Sequence, residues 1–353
     1  MSGRLASDGT VRIDDPSEAG TIYGRGFFGT VRPDGLSLER PESVYLSEMG
    51  RLEVVDERSR PVPWTEVLRR AVRADPEFPV RYLVYRDLRQ RGYIVRDSPP
   101  PATFAVLPRG GTLHKTPSKF WVQPISERAP FDLAGLAETF DRAHGARKML
   151  LLGVVDEESD LTYYRVTAPL PQGVHPPRGP AAPIPAFVSD DRVLLTEPAG
   201  VELLGREQGF GSRIGARLEL SLVEAIFLAS RGALAFRSAA THRPLAEEVV
   251  RRRARRLEPE LELRLRAYGW LRDRGLVVKT GFKYGAHFRA YVRDPEHTHA
   301  RYLIQAAPSD LKAPWPTVAG HVRLAQGVRK EFLLAAVDPA GSVRCLALER
   351  MRP

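Results

Sequence analysis

The stretch RKMLLLGVVD at Arg147–Asp156 returns as RKEFLLAAVD at Arg329–Asp338, and this pair decides the fold. Each copy begins with two cations at a predicted helix end and continues as an apolar run with the length of a buried strand. The copies start 182 residues apart, from Arg147 to Arg329, in a chain of 353 residues. The chain therefore contains an internal repeat of about half its length, which has to be recognised before the fold is predicted.

Three further pairs of segments match in the same order at nearly the same offset. They are FFGTV (Phe27–Val31) with GFGSR (Gly209–Arg213), VYLSEMGRL (Val44–Leu52) with IFLASRGAL (Ile226–Leu234), and RYLVYRDLRQRGYIV (Arg81–Val95) with LRAYGWLRDRGLVV (Leu265–Val278). The last pair predicts an amphipathic helix that is ended by a glycine, Gly92 or Gly275, and followed by a strand. Between the halves, Pro169–Pro185 is dense in proline and glycine, which predicts a stiff extended linker.

Each half of the chain divides again. Its first part has short strands, a glycine turn and helical stretches, and its second part alternates strands with one helix. We therefore predict an α/β (α+β) fold of two tandem repeats, each a small α+β N-terminal domain followed by a mixed-sheet domain. The predicted domains are 1–80, 81–168, 187–258 and 259–353, with 169–186 as the linker.

Composition limits the class of protein. A formal net charge of +10 favours a polyanionic partner, because Lys and Arg neutralise phosphates and release counterions. A GC-rich genome that favours arginine explains the same charge equally well. The single cysteine, Cys345, excludes an internal disulfide, and no apolar run reaches the roughly 18 residues of a membrane span. We expect a cytoplasmic protein without a membrane segment.

Five arginines lie close together on one predicted helix. They are Arg251, Arg252, Arg253, Arg255 and Arg256. This helix face either contacts phosphates or is a solvated face that is paired with acidic neighbours. The acidic candidates are Glu247, Glu248 and Glu258.

The two halves differ in chemistry at matched positions. The matched pairs are Tyr291 with Leu107, His299 with Pro117, and Lys330 with Lys148. Each residue alone has an ordinary structural explanation: a tyrosine at a strand end is usually amphipathic core, a lone loop histidine is usually incidental, and a lysine at a helix C-terminus favours the helix dipole. A purely structural explanation, however, does not predict a polarity contrast at two places in the same half.

Together, Tyr291, His299 and Lys330 suit RNA cleavage without a metal. The 2′-hydroxyl of RNA attacks the adjacent phosphate if a general base, a general acid and a stabilising cation are supplied. Histidine suits the acid because its pKa is near neutrality, and lysine suits the developing negative charge. Tyrosine has a reference pKa of about 10, so it requires a cationic neighbour to act as a base.

The region that carries these residues resembles the catalytic domain of the tRNA-intron endonucleases. It consists of GLVVKTGFKYGAHFRAYVRDPEHTHARYLI at Gly275–Ile304 and HVRLAQGVRKEFLLAAVD at His321–Asp338. The family pattern is a strand ending in tyrosine, a histidine just before an aromatic-Leu-aliphatic strand, and a lysine at a helix end. Here His299 is three residues before Tyr302, and Lys330 is 31 residues after His299.

This pattern selects between neighbouring candidates, favouring Tyr291 over Tyr284 and His299 over His297. The resemblance implies that Tyr291 is the general base and His299 the general acid. It also implies that Lys330 stabilises the transition state.

The resemblance covers residues 261–350 strongly and extends to the rest of the chain through the repeat. It implies cleavage of precursor tRNA at bulge-helix-bulge junctions, with 2′,3′-cyclic phosphate and 5′-hydroxyl ends and with no metal and no other cofactor. A degraded catalytic unit followed by an active one resembles the archaeal class that works as a homodimer of two-repeat chains.

Two further sets of residues follow from the resemblance. The family docks an acidic loop of the inactive unit into a basic pocket of the partner, and here that loop contains Asp156, Glu157, Glu158 and Asp160. The alternative is an ordinary polar hairpin turn. The family also clamps a bulge base between two arginines, which correspond to Arg323 and Arg350, with Arg344 and Arg352 as rivals for the second.

Two other functions remain in competition. The first is a noncatalytic RNA-binding or structural subunit that is derived from the same fold, but such a subunit has no need to keep Tyr291, His299 and Lys330. The second is a metal-dependent DNA nuclease, which requires clustered carboxylates. The region offers only Asp294 and Glu296, without a clear set of strand-borne acids.

Overall fold

The computed structural model describes all 353 residues, which divide into two units. The first unit comprises Met1–Ala129, Glu138–Arg165 and Arg350–Pro353. The second unit comprises Pro130–Ala137 and Val166–Glu349. Each unit contains most of one half of the repeat.

The first unit begins with a six-stranded sheet and three helices. The elements are β1 (Ser2–Leu5), β2 (Val11–Ile13), α1 (Pro16–Gly24), β3 (Thr30–Arg32), β4 (Gly35–Leu38), α2 (Arg40–Glu48), β5 (Glu53–Val55), β6 (Pro61–Val62) and α3 (Trp64–Ala74). The strand order is β3-β4-β2-β1-β5-β6, in which only β1 and β5 are parallel. Helix α1 begins where the Asp15 carboxylate accepts the Glu18 amide at 2.8 Å and Pro16 occupies the first turn.

A mixed sheet follows in the same half. The elements are α4 (Phe78–Gln90), β7 (Val95–Asp97), β8 (Phe104–Val106), β9 (Phe120–Ser126), β10 (Pro130–Asp132), α5 (Leu133–Gly145), β11 (Met149–Val155) and β12 (Leu161–Thr167). The sheet order is β7-β8-β9-β11-β12, and β9 and β11 are its parallel pair.

The second unit repeats the N-terminal sheet with five strands. The elements are β13 (Ile184–Val188), β14 (Arg192–Leu195), α6 (Pro198–Gly200) with a π-helical continuation (Val201–Glu207), β15 (Ser212–Ile214), β16 (Arg217–Ser221), α7 (Leu222–Ala229), β17 (Leu234–Ser238) and α8 (Glu247–Leu257). The order β15-β16-β14-β13-β17 reproduces that of the first sheet without its last strand.

The second mixed sheet completes the chain. The elements are α9 (Leu261–Asp273), β18 (Val277–Thr280), a 3₁₀ turn (Phe282–Tyr284), β19 (Phe288–Tyr291), β20 (Tyr302–Pro308), β21 (Lys312–Pro314), α10 (Trp315–Gly327), β22 (Glu331–Val337) and β23 (Val343–Met351). The order β18-β19-β20-β22-β23 matches that of the first mixed sheet, and β20 and β22 are parallel. Strand β21 pairs with β10. The predicted α+β fold with two tandem repeats is confirmed.

The repeat extends to buried polar contacts. The amide of Gly29 donates to the Glu42 carboxylate at 2.9 Å, and the amide of Gly211 donates to Glu224 at 2.8 Å. Both glycines have positive φ, which explains the matched FFGTV and GFGSR segments. Burial raises the pKa of the Glu42 carboxyl. A two-fold sequence match therefore encodes a two-fold set of structural contacts.

The segment between the repeats is hydrogen-bonded at several points to the second unit. Gly173 N donates to Arg274 O at 2.8 Å, and Val174 N donates to Val292 O at 3.1 Å. The side chain of Gln208 bonds both the N–H and the C=O of Arg178, at 2.7 and 2.8 Å. The linker is thus fixed to its own unit.

Two of the five arginines on α8 pair with carboxylates. Arg251 pairs with Glu247 at 2.9 Å and with Glu262 at 2.8 Å, and Arg255 pairs with Glu248 at 3.1 Å. The expected partner Glu258 pairs elsewhere, with Arg264. These pairs favour the solvated-face interpretation. None of the helices is both long enough and apolar enough to cross a lipid bilayer.

Candidate active site

Three neighbouring strands of the second mixed sheet, β19, β20 and β22, have ends that lie close together. Strand β19 is antiparallel to β20 with Ala290 opposite Tyr302, and β20 is parallel to β22 with Tyr302 opposite Glu331. The last residue of β19 and the residues just before β20 and β22 therefore lie side by side. Neighbouring strands are about 4.8 Å apart, so side chains from these three positions can reach a single phosphodiester.

Tyr291 is the last residue of β19. It lies opposite Val277 on the neighbouring strand and packs against Val277 and Ala300, which leaves 8% of the residue exposed. Its hydroxyl makes no hydrogen bond within the protein. The guanidinium carbon of Arg289 is 5.9 Å from the ring centroid. The ring is thus part of a small apolar cluster, while the hydroxyl remains available to a ligand.

His299 lies in the loop that joins β19 to β20. Its side chain is exposed and makes no hydrogen bond or ion pair. The loop is nevertheless ordered, because Asp294 accepts the Glu296 amide at 2.9 Å and its carbonyl accepts the Thr298 hydroxyl at 2.7 Å. The amide of Arg301 then donates to Ala290 O at 2.9 Å. The imidazole is therefore held at the sheet edge by its backbone alone.

The nearby histidines have structural partners. The Nδ1 of His297 is 3.1 Å from the Asp294 carboxylate. The Nε2 of His287 is 3.2 Å from Glu260 and 3.1 Å from Gln305, and burial lowers the pKa of His287. His299 is the histidine of this region whose ring is not engaged.

Lys330 stands immediately before β22. Helix α10 ends at Gly327, and Arg329 reverses the chain with φ of +55°. The Lys330 amide donates to Ala325 O at 2.8 Å, while its Nζ is 3.4 Å from Val328 O. The ammonium also lies 5.6 Å from the centroid of the Tyr284 ring. Tyr284, which the family pattern did not select, therefore lies beside Lys330.

The predicted acidic loop is the turn between β11 and β12. The Asp156 carboxylate accepts the amides of Glu158 and Asp160 at 3.0 and 2.8 Å, so this residue stabilises the turn. Glu157 pairs with Arg128 at 2.8 Å. Glu158 and Asp160 expose their carboxylates. Asp156 therefore fits an ordinary hairpin turn, whereas the exposed carboxylates of Glu158 and Asp160 fit a docking loop.

The two predicted RNA-clamping arginines are both exposed, Arg323 on α10 and Arg350 on β23. Their action as a pair stays a prediction. Phe282 is not among the predicted site residues, although it is 87% exposed in the turn that carries Tyr284. One signal was present in the sequence, because the first half has consecutive prolines, Pro99–Pro101, in the matching connection. No group of three or more His, Cys, Asp or Glu side chains is arranged to bind a metal ion.

Comparison with known proteins agrees with the duplication. The model of the tRNA intron endonuclease catalytic C-terminal domain matches residues 78–163 and 261–345, and the model of the N-terminal domain matches residues 1–68 and 184–247. The fold and these four matches define the class of protein as a tRNA intron endonuclease in which both domains are duplicated.

Relatives match over essentially the whole chain. A tRNA-splicing endonuclease of Methanosarcina acetivorans is 37% identical over 335 residues, which cover 94% of each chain. The tRNA-splicing endonuclease of Natronomonas pharaonis is 34% identical over 376 aligned positions that cover both chains completely. Both organisms are archaea. The chain therefore belongs to the tRNA-splicing endonuclease family, and this membership supports an endonuclease role in removing tRNA introns.

Proposed function

We propose that the protein cleaves bulge-helix-bulge junctions in precursor tRNA by a metal-independent attack of the 2′-hydroxyl. The observation that carries this proposal is the placement of the three residues on neighbouring strands of one sheet: Tyr291 ends β19, His299 lies in the loop before β20, and Lys330 directly precedes β22. These side chains supply a phenol, an imidazole and an ammonium without requiring a bound ion.

The reaction is a transesterification with two proton transfers. Tyr291, as the phenolate, accepts the proton of the 2′-hydroxyl as the 2′-oxygen forms a bond to phosphorus. The bond from phosphorus to the 5′-oxygen breaks, and the imidazolium of His299 donates a proton to that oxygen. Lys330 stabilises the negative charge that develops on the nonbridging oxygens. The products are a 2′,3′-cyclic phosphate and a 5′-hydroxyl, and the two enzyme groups exchange a proton to return to their starting states.

The exposure of His299 supports its role as the acid. A solvent-accessible imidazole that has no competing carboxylate is free to bond a leaving oxygen. Tyr291 combines a buried ring with an unbonded hydroxyl, which fixes the direction of that hydroxyl. A base of this kind needs a cation close by, and Lys330 and Arg289 are the candidates.

Substrate and partner contacts extend the proposal. Arg323 and Arg350 are the base-clamping pair, because guanidinium planes stack on unpaired bases. The active form is a homodimer in which the turn containing Glu158 and Asp160 docks on the partner chain. The exposed carboxylates of that turn support this assignment, in a chain of net charge +10.

The decisive experiment is cleavage of an end-labelled bulge-helix-bulge RNA in excess EDTA, with wild type compared with His299→Ala. We expect wild type to cut in the chelator, with cyclic-phosphate ends, and the variant to lose most of this activity. Binding without cutting would favour the noncatalytic subunit. Cutting that requires magnesium and is unaffected by His299→Ala would contradict the mechanism.

A further inference from the structure

The turn between β18 and β19 presents an exposed aromatic side chain. Phe282 is 87% exposed, the highest fraction among the exposed large apolar side chains of the chain. Exposed apolar residues are common, so exposure alone does not make a site.

Hydrogen bonds hold the turn in one conformation. The Tyr284 amide donates to Gly281 O at 2.8 Å, and the Gly285 amide donates to Phe282 O at 3.1 Å. Nε2 of His321, on α10, is 3.2 Å from Gly285 O. A Cβ on Gly281 would lie 2.5 Å from Ala286 O, so the close approach of the backbone requires glycine there. The phenyl group therefore projects from a fixed base rather than from a loose loop.

The turn also borders the candidate active site. Two residues after Phe282, the ring of Tyr284 lies 5.6 Å from Nζ of Lys330. Between them, Lys283 is exposed and adds a second cation to this surface. An aromatic face flanked by cations is the composition that binds single-stranded nucleic acid.

The first half of the chain provides an internal control. Asp97 pairs with Phe104 there as Thr280 pairs with Phe288 here, so the two connections correspond. In the first half the connection contains Pro99–Pro101, which have no aromatic ring and no charge. The fold therefore forms without an aromatic turn. The half that has Tyr291 and His299 is also the half that has the aromatic turn.

We propose that Phe282 is a stacking platform for an unpaired nucleobase of the RNA substrate beside the scissile phosphate. The proposal rests on the proposed function and adds a substrate contact to it. Every base offers a π-face, so this contact recognises an extruded base without reading its identity. Lys283 accompanies it by neutralising a nearby backbone phosphate.

The test measures RNA binding by Phe282→Ala and Phe282→Trp in chelator. The probe is a fluorescent bulge-helix-bulge RNA with 2′-deoxy sugars at the cut sites, which binds but cannot react. We expect Phe282→Ala to raise Kd about tenfold or more. We expect Phe282→Trp to restore binding, with quenching of its indole fluorescence by the RNA. Leu170→Ala, which removes another exposed apolar side chain (77%), is the matched control and should leave Kd unchanged.

Abasic substitutions in the bulges locate the contact. Replacing each bulge base in turn should identify one position at which wild type and Phe282→Ala bind equally, because the stacked base is then missing. Single-turnover cleavage of the unmodified RNA should show a larger loss at low protein concentration than at saturation.

Several outcomes would overturn the inference. Equal Kd for wild type and Phe282→Ala would do so, as would an identical loss of binding to a fully paired duplex. A changed elution volume of Phe282→Ala in size-exclusion chromatography would mean that a second copy of the chain covers the phenyl group. If wild type cleaves in chelator and Phe282→Ala behaves the same, the inference alone fails. If wild type binds the deoxy RNA but does not cut the unmodified RNA, the proposed chemistry fails instead.

Discussion

The two mixed sheets have one backbone plan but different side chains at the same edge. Leu107 follows β8 in the first half and is 3% exposed, and Tyr291 ends β19 at the matched position in the second half. The exposed Pro117 stands where His299 stands in the second half. The apolar pair shows that the fold needs neither the phenol nor the imidazole. Those groups are therefore retained in the second half for a reason other than stability.

The lysine differs from the tyrosine and the histidine, because both halves have it, as Lys148 and Lys330. The chain reverses at Arg147 and at Arg329 with the same φ of +55°. Nζ of Lys148 then donates to Ser118 O at 2.7 Å, whereas Nζ of Lys330 is 3.4 Å from Val328 O. The Lys148 ammonium is engaged in a structural hydrogen bond, and the Lys330 ammonium is only weakly held. The same residue type therefore has a structural role in one half and remains available for the proposed catalytic role in the other.

Replacing the histidine should have the largest effect. We expect His299→Ala to lower the single-turnover cleavage rate by about 10² to 10⁴-fold, since a positioned general acid contributes that much. The melting temperature should not change, because the side chain is exposed and has no bonding partner. The matched control is His297→Ala in the same loop, which removes only an exposed contact with Asp294. Equal losses in the two variants would contradict the assignment of the acid.

The two lysines can be separated by the same substitution in each half. We expect Lys330→Met to lower the cleavage rate by about 10²-fold or more, as loss of a transition-state cation does, with little change in stability. We expect Lys148→Met to leave the rate nearly unchanged and to lower the free energy of unfolding by about 1 to 2 kcal/mol, because the Ser118 carbonyl loses a charged donor. Rate assays and denaturant titrations of both variants measure this. Reversed effects would break the distinction between the halves.

Much of the fold was predictable, because most elements occur twice in the sequence. Local periodicity identified the helices and buried strands, and their order predicted two α+β domains per half. The pairing of β10 with β21 and the contact of Tyr284 with Lys330 were not predictable. Both depend on how distant segments pack, and sequence periodicity carries no such information.

The site was predicted less completely than the fold. The selection of His299 came from a family pattern, since spacing alone left His297 open. The structure adds a physical distinction, namely the engagement of His297 with Asp294. Asp156 looked like one of four equivalent acids, but its carboxylate bonds two amides of its own turn. Side-chain bonds to local backbone cannot be read from the charge pattern.

The linker should have an intermediate effect, because it is bonded to the half that has the proposed catalytic residues. A Cβ on Gly173 would lie 2.2 Å from Gly275 O, so Gly173→Ala has to move the linker away from the connection between α9 and β18. We expect a loss of about 1 to 3 kcal/mol in unfolding free energy, and roughly a tenfold or smaller loss of rate as the loop after Val292 loosens. Gly179→Ala is the control, since nothing lies within 4 Å of its Cβ. Equal behaviour of the two variants would show that linker contact does not matter.

The smallest effect should come from a carboxylate that only the first half has. Burial of the carboxylate, followed by the charges of Glu39 and Glu42, raises the pKa of Asp97 to about 6, although the residue as a whole is exposed. The matched residue in the second half is Thr280. Because the folded pKa lies above the value of about 3.9 for an unfolded chain, protonation favours the folded state. The contribution of Asp97 is therefore fully present below pH 4 and is lost as the pH rises through 6.

Asp97→Thr, which installs the residue of the second half, should remove this dependence. Compared with wild type, the variant should gain stability between pH 5 and pH 7.5. The gain should be below about 1 kcal/mol, because solvent screens a partly exposed charge. Urea unfolding of both proteins at the two pH values measures the difference in unfolding free energy between the variant and wild type. The contributions of the other titrating groups are the same in both proteins and cancel in this difference. If the stability gain of Asp97→Thr shrinks as the pH rises, the charge of Arg96 more than offsets the desolvation of the Asp97 carboxylate. Asp97 would then stabilise the first half of the chain.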